Sequence, residues 1–264
     1  MVSLSMMVVL IIEIGNSVTD CAVFEGEQCI ATYTIQTEKL EGRKEVLDQT
    51  RRILNNHPSV YHAAVCSVVP SVGELFLSIL ASTLSGKVVE INSSLSLPFA
   101  LDYDPPHTLG ADRLALCALS CRSWPDKAII ALDIGTAITF DVVSSRGVYL
   151  GGMILPGLDL MTAVLHDRTA KLPLVEITEE PIPLLGKSTA DCMQSGVFWG
   201  CVKQVEGLLS RVHRFLSDEL QENTVRIIGT GGNSRLVASV MENPPVIDEQ
   251  AVLKGAKVLL DMNL

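Results

Sequence analysis

The chain has 264 residues, 48% of them apolar and 19% charged, enough for one large or two ordinary domains and too apolar for disorder. Its formal net charge of −10 excludes a generic nucleic-acid coat, which needs clustered Lys and Arg, but leaves room for a small anion held locally. Seven cysteines without a CxxC pair, Cys117 and Cys121 having no His at ligand spacing, read as the reduced thiols of a cytoplasmic protein.

The apolar run from Met6 to Ile12 lacks a basic leader and a small-residue cleavage site. Glu13 stops it far short of the ~20 residues of a membrane span, so it reads as a first strand, with no membrane partner expected. Val8–Ile14, Thr19–Phe24 and Gln28–Ile35 are β-branched runs, the last two joined by a Glu25-Gly26-Glu27 turn. Arg43–Asn55 has helical spacing, Ala63–Val69 is a buried strand, Val72–Leu84 a helix and Lys87–Ile91 an extended segment. An irregular loop from Pro98 to Pro106 precedes a helix from about Asp112 to Cys121.

From Lys127 to Leu155 the pattern restarts as strand, turn, strand, turn, strand. At a shift of 120, Glu13 falls on Asp133, Gly15 on Gly135, Thr19 on Thr139 and Val23 on Val143. Two copies of over 100 residues indicate domain duplication, not a solenoid, with a boundary at Ser123-Trp124-Pro125-Asp126. The domains expected are 1–123 and 124–264. Leu158–Leu165 and about Thr189 to Ser217 read as helices around a Pro-rich loop. Thr224 to Val240 reads as strand, glycine loop and helix, and Glu249–Met262 as a final helix. Such an order predicts two similar α/β domains facing each other across a cleft.

Each repeat ends its first strand on a carboxylate, followed by a glycine and small polar residues, as EIGNS and DIGTA. One copy is as well explained by a turn. Two equivalent copies point to hairpins whose backbone N–H groups and hydroxyls hold phosphate oxygens, with the carboxylate suited to Mg²⁺. IIGTGGNS (Ile227–Ser234) is a strand entering a glycine loop and helix, an anion-accepting arrangement; neither a Walker A loop nor GxGxxG occurs. In LGADRLA (Leu109–Ala115) two readings stand. Asp112 caps a helix with Arg113 in solvent, or Asp112 accepts a proton while the Arg113 fork holds an anion. The histidines at 57, 62, 107, 166 and 213 join no nucleophile motif.

Together these motifs resemble the type III pantothenate kinases, within the acetate and sugar kinase/Hsc70/actin superfamily. Glu13–Ser17 stands at the family's DxGN[TS], Pro106–Arg113 at PxxLGxDR, Asp133–Asp141 at DxGTAxTxD and Gly151–Gly157 at GGxIxPG. Thr169–Pro173, Gly186–Gly196 and Thr230-Gly231-Gly232 continue the correspondence in order.

The resemblance implies two duplicated ribonuclease H-like (actin-like ATPase) α/β domains with a nucleotide cleft. It implies ATP-dependent phosphorylation of the 4′-hydroxyl of pantothenate, the first step of coenzyme A synthesis. Asp112 is then the general base, and Tyr103, Gly110, Ala111, Asp112, Arg113 and Thr189 bind pantothenate. Glu13, Ile14, Gly15, Asn16, Ser17, Val18, Thr19 and Asp20 form the first phosphate loop, with Thr136 contacting ATP. Asp133 holds a monovalent cation, K⁺ or NH₄⁺, and Glu13 is placed to organise Mg²⁺ or another divalent cation. Family members are homodimers with the second domain at the interface and a substrate pocket shared between protomers. Two departures stand out: Glu13 replaces an aspartate, extending the carboxylate by roughly 1.5 Å, and Ser188 replaces an asparagine before Thr189. Because some family members are described as transcription accessory factors, a catalytically impaired regulatory or binding role is the alternative. A sugar or acetate kinase of the same superfamily is a further one.

Overall fold

The computed structural model describes residues 7–40, 42–178 and 180–264. Met6, where the N-terminal apolar run begins, lies outside them. The chain divides into two compact units, one running to Pro125 and including Gln250–Leu264, the other Asp126–Glu249.

The first unit opens with β1 (Val8–Ile14), β2 (Val18–Glu25) and β3 (Gln28–Gln36). There follow α1 (Arg43–Asn56), β4 (Val60–Ser67), α2 (Pro70–Thr83), β5 (Val88–Glu90), the short β6 (Ala100–Leu101) and α3 (Ala111–Ser123). The second unit repeats the three-stranded start as β7 (Ala128–Ile134), β8 (Ala137–Val143) and β9 (Val148–Pro156). It continues with α4 (Leu158–Asp167), α5 (Thr189–Arg214), β10 (Val225–Thr230), the short α6 (Ser234–Ala238) and β11 (Val246–Ile247). The closing helix, α7 (Ala251–Met262), belongs to the first unit, where it packs on α3 and over β1 and β4. Sequence reading had carried the second domain to Leu264. Nearly every face of α7 is apolar and buried, and Gly255 lets it meet the Ala115 backbone of α3 closely.

The first sheet has the order β3-β2-β1-β4-β5, with β1, β2 and β3 antiparallel and β4 and β5 parallel to β1. In the second unit the order β9-β8-β7-β10-β11 is the same arrangement. Leu10, Ile12 and Ile14 pack with Val46 and Ile53 of α1 and Phe76, Ile79 and Leu80 of α2. Their counterparts Ile130, Leu132 and Ile134 pack with Phe140 and with Val197, Phe198, Cys201 and Val205 of α5. Each such side chain contributes about 1.5–3 kcal/mol by leaving water, which fixes the central strand of each unit and therefore the residue at its end. The burial patterns of β1 and β7 are identical, and in both only the sixth residue, Glu13 or Asp133, escapes full burial.

Register corrects one detail of the sequence repeat. The shift of 120 holds for β1 with β7 and β3 with β9, both pairs having equal lengths. It fails by one residue between β2 and β8. Ile14 pairs with Thr19, leaving four residues (15 to 18) in the hairpin, whereas Ile134 pairs with Ile138, leaving three (135 to 137). The next turn restores the count with one extra residue in the second unit, since Phe24 pairs with Cys29 but Val143 with Tyr149. Thr139 therefore corresponds in space to Asp20, not Thr19, and Val142, not Val143, to Val23. No described helix is long and apolar enough to cross a membrane.

Candidate active site

In the first unit the hairpin after β1 is pinned from beneath by the buried Thr37. Its N–H donates to Ser17 O at 3.0 Å, its hydroxyl donates to Gly15 O at 2.8 Å, and Thr19 Oγ1 lies 3.0 Å from that hydroxyl. Gly15 N–H donates to Val18 O at 2.9 Å, closing the turn. One rung of the sheet carries Cys66, Glu13, Asp20 and Thr34 side by side, and Thr34 Oγ1 donates to Asp20 Oδ1 at 2.5 Å. Two carboxylates directly opposite one another repel unless a cation lies near them. The residues present therefore fit a divalent ion.

Asp112 and Arg113 open α3 behind the N-cap residue Gly110. Asp112 Oδ1 accepts the Arg113 N–H at 2.8 Å, and a Cβ on Gly110 would stand 2.5 Å from that oxygen. Gly110, not Asp112, is the N-cap residue, so Asp112 does not cap the helix, and Arg113 does not reach into solvent: it is 7% exposed. Cys66 is buried, and its thiol is pushed well above its ordinary pKa by burial first, then by the nearby carboxylates of Glu13 and Asp112. Tyr103 is half-buried, on the loop after β6.

In the second unit the matching hairpin is tighter. Gly135 N–H donates to Ala137 O at 3.1 Å, and Gly157 N–H donates to Thr136 O at 3.0 Å, the bond that Thr37 makes to Ser17. A Cβ on Gly157 would collide with the carbonyl oxygens of Gly135 and Thr136, so any side chain here must displace that backbone. One rung carries Thr230, Asp133 and Thr139. Gly231, at φ +94°, lets the loop after β10 press against Asp133 where any side chain would clash with its Oδ1. Asn233 N–H then donates to Ile134 O at 2.9 Å, tying loop to hairpin. Thr139 Oγ1 and Ser234 Oγ are buried and have no hydrogen-bond partner among the described residues.

Thr189 stands exposed at the first turn of α5. Ser188 caps that helix reciprocally: its Oγ accepts the Asp191 N–H and its own N–H donates to Asp191 Oδ2, both at 3.1 Å. Sequence reading missed this capping box, although S-x-x-D before a long helix signals it. Thr189 also lines an apolar cavity of about 610 Å³ with Pro156, Leu160, Met161, Val164 and Met193. The structure thus brings Glu13, Asp20 and Asp112 together within the first unit, and Asp133, Thr136 and the Gly231 loop within the second.

Two copies of a sheet ordered 3-2-1-4-5, each ending its central strand on a carboxylate and a glycine hairpin, define the actin-like ATPase and sugar kinase class of fold. Solved structures of that shape include a candidate N-acetylmannosamine kinase, Lmo2764, from Listeria monocytogenes (TM-score 0.53, 15% identity, covering 97% of this chain and 99% of that one). A candidate Baf family transcriptional activator from Campylobacter jejuni is similar in fold as well (TM-score 0.57, 20% identity, 96% and 98% covered). Residues 9–211 match the family described as type III pantothenate kinase, and the chain belongs to that family. Relatives so named come from Chlorobium luteolum, 47% identical over 96% of this chain and 94% of that protein, and Chlorobaculum tepidum, 44% identical over 97% and 94%.

Proposed function

We propose that the chain is an active pantothenate kinase, transferring the γ-phosphoryl group of ATP to the 4′-hydroxyl of pantothenate as the first step of coenzyme A synthesis. Family membership supports the reaction. What supports the mechanism is the pairing of Glu13 with Asp20 at the end of β1 and, in the same compact unit, Asp112 beside the buried Arg113 at the start of α3.

Phosphoryl transfer rests on positioning and charge neutralisation more than on covalent help. In the proposed mechanism the substrate oxygen attacks the γ-phosphorus, the bond to the β–γ bridging oxygen breaks, and ADP leaves. Asp112 accepts the hydroxyl proton, late in a loose transition state. Arg113, with Gly110, Ala111, Tyr103 and Thr189, holds pantothenate, the guanidinium fork matching its carboxylate. Backbone N–H groups and hydroxyls from Ile14 to Thr19 receive phosphate oxygens, as does Thr136 in the second unit. Glu13, with Asp20 across the rung, would hold a divalent cation, which would supply charge neutralisation. Asp133 would hold the monovalent cation, K⁺ or NH₄⁺, which would supply further positive charge. We also infer a cytoplasmic homodimer. It is supported by apolar side chains that the second unit leaves in solvent: Ile154 is 65%, Leu184 70% and Leu185 80% exposed.

A coupled ADP-release assay with pantothenate, ATP, Mg²⁺ and K⁺ tests the reading. Pantothenate-dependent ADP release is expected; none at millimolar ATP would overturn it.

A further inference from the structure

We propose that Thr139 is the second, neutral ligand of the cation held by Asp133, and that hairpin length in each unit sets the charge of the cation it takes. The inference rests on the reading above, in which Asp133 binds a monovalent ion.

Thr139 stands directly across the rung from Asp133, so their side chains leave the same face of the sheet as neighbours, with Cβ atoms about 5 Å apart for such pairs. The Thr139 side chain is 9% exposed, and its hydroxyl is buried with no protein partner among the described residues. A buried hydroxyl without a partner is unfavourable, and valine would fill the same space without that cost. Its position beside a carboxylate gives it a use: a lone pair for a cation. An anion is disfavoured there by the Asp133 charge. The rung offers one negative charge between two hydroxyl-bearing residues, Thr230 and Thr139, which matches a singly charged ion. Mg²⁺ demands stricter geometry and more negative charge.

The first unit supplies the contrast. Its hairpin is one residue longer, and the residue brought across from Glu13 is Asp20 instead of a threonine. That rung has two carboxylates and suits a divalent ion. At both positions the chain has a threonine, Thr19 and Thr139; the loop length decides whether that threonine meets the carboxylate.

The test is direct cation binding to the full-length protein without substrates, read as the rise in melting temperature with K⁺ against Na⁺ and as Tl⁺ binding by NMR. Wild type should respond to K⁺ and bind Tl⁺. Thr139→Val should weaken both by about tenfold or more, with an unchanged response to Mg²⁺, while Thr139→Ser should keep them. Thr139→Asp, which copies the first rung, should exchange the K⁺ response for a divalent one. Wild-type K⁺ and Tl⁺ behaviour in Thr139→Val would overturn the assignment of Thr139 alone. A wild-type protein indifferent to K⁺ and Tl⁺ would overturn the monovalent site at Asp133 and this inference with it.

Discussion

At the end of β1 Glu13 stands across the rung from a second acidic residue, Asp20; at the end of β7 Asp133 stands across from Thr139. The scaffolds behind the two are alike in strand order, in the lengths of their first and third strands, and in the burial pattern of the first. Both even carry a bulge at matching places in the third strand, at Ile30 and Leu150. Duplication has thus kept what packing enforces and changed what packing leaves free. A hairpin loop projects beyond the core, so its length shifts at little cost, and one residue is enough to change which side chain meets the carboxylate. The first unit concentrates negative charge there, with Asp20 across from Glu13 and the carboxylates of Glu13 and Asp112 both acting on Cys66. The second holds its hairpin tightly between Gly157 and Gly231 and has one carboxylate, Asp133, on its rung.

If the first unit carries the proton chemistry, removing Asp112 should have the largest effect. Asp112→Ala is expected to lower kcat by about 10²- to 10⁴-fold, with a stability loss limited to about 1 kcal/mol from the lost acceptor at the helix start. Steady-state kinetics beside a melting curve checks both, and wild-type turnover in a folded variant would remove the assigned base. Glu13→Asp probes the same unit more finely. Because Glu13 already stands opposite Asp20, shortening it should open the carboxylate pair and lower kcat by about 10- to 10²-fold. A rise in activity would show instead that the longer side chain impairs the site.

Much of this was readable beforehand. The strands around both hairpins, the duplication and the carboxylate at each central strand end follow from β-branched runs broken by Gly15 and Gly135. The one-residue slip was not readable, because a deletion in one turn and an insertion in the next cancel within the repeat. The coincidence of Thr19 with Thr139 then hides it. Nor could periodicity assign α7 to the first unit, since a helix buried on nearly every face does not announce its neighbour. β11, only Val246–Ile247 after two prolines, is too short for any pattern. The burial of Arg113 depends on tertiary packing that local spacing does not encode.

The supports beneath the hairpins offer a smaller contrast, at positions 37 and 157. Gly157→Ala should drive a methyl into the carbonyls of Gly135 and Thr136 and destabilise the protein by about 1–3 kcal/mol. Thr37→Val keeps the shape but loses the hydroxyl bonds to Gly15 and Thr19, at about 1–2 kcal/mol. Denaturant titration separates the two. Equal tolerance at both sites would mean that the second hairpin is no tighter than the first.

The smallest expected effect is alkaline. Burial, then the charge of Asp20, pushes the Cys21 thiol from 9.0 up to about 12, and Cys66 is raised as well; burial alone takes Cys201 in the second unit to about 11. A raised thiol pKa means that the folded state keeps a proton which the unfolded state gives up. Stability from this source is complete below pH 9 and falls as pH rises toward the folded value. By pH 9.5 each such thiol should cost about 0.8 kcal/mol. Unfolding free energies at pH 8 and 9.5 should therefore fall less steeply in Cys21→Ala than in wild type. Extending the series to pH 11.5 should flatten the contribution of Cys201 before that of Cys21, because its folded pKa is reached first. Parallel behaviour of Cys21→Ala and Cys201→Ala to the highest pH would show that the deeper burial of Cys21, with the Asp20 charge second, does not lift its folded pKa above that of Cys201.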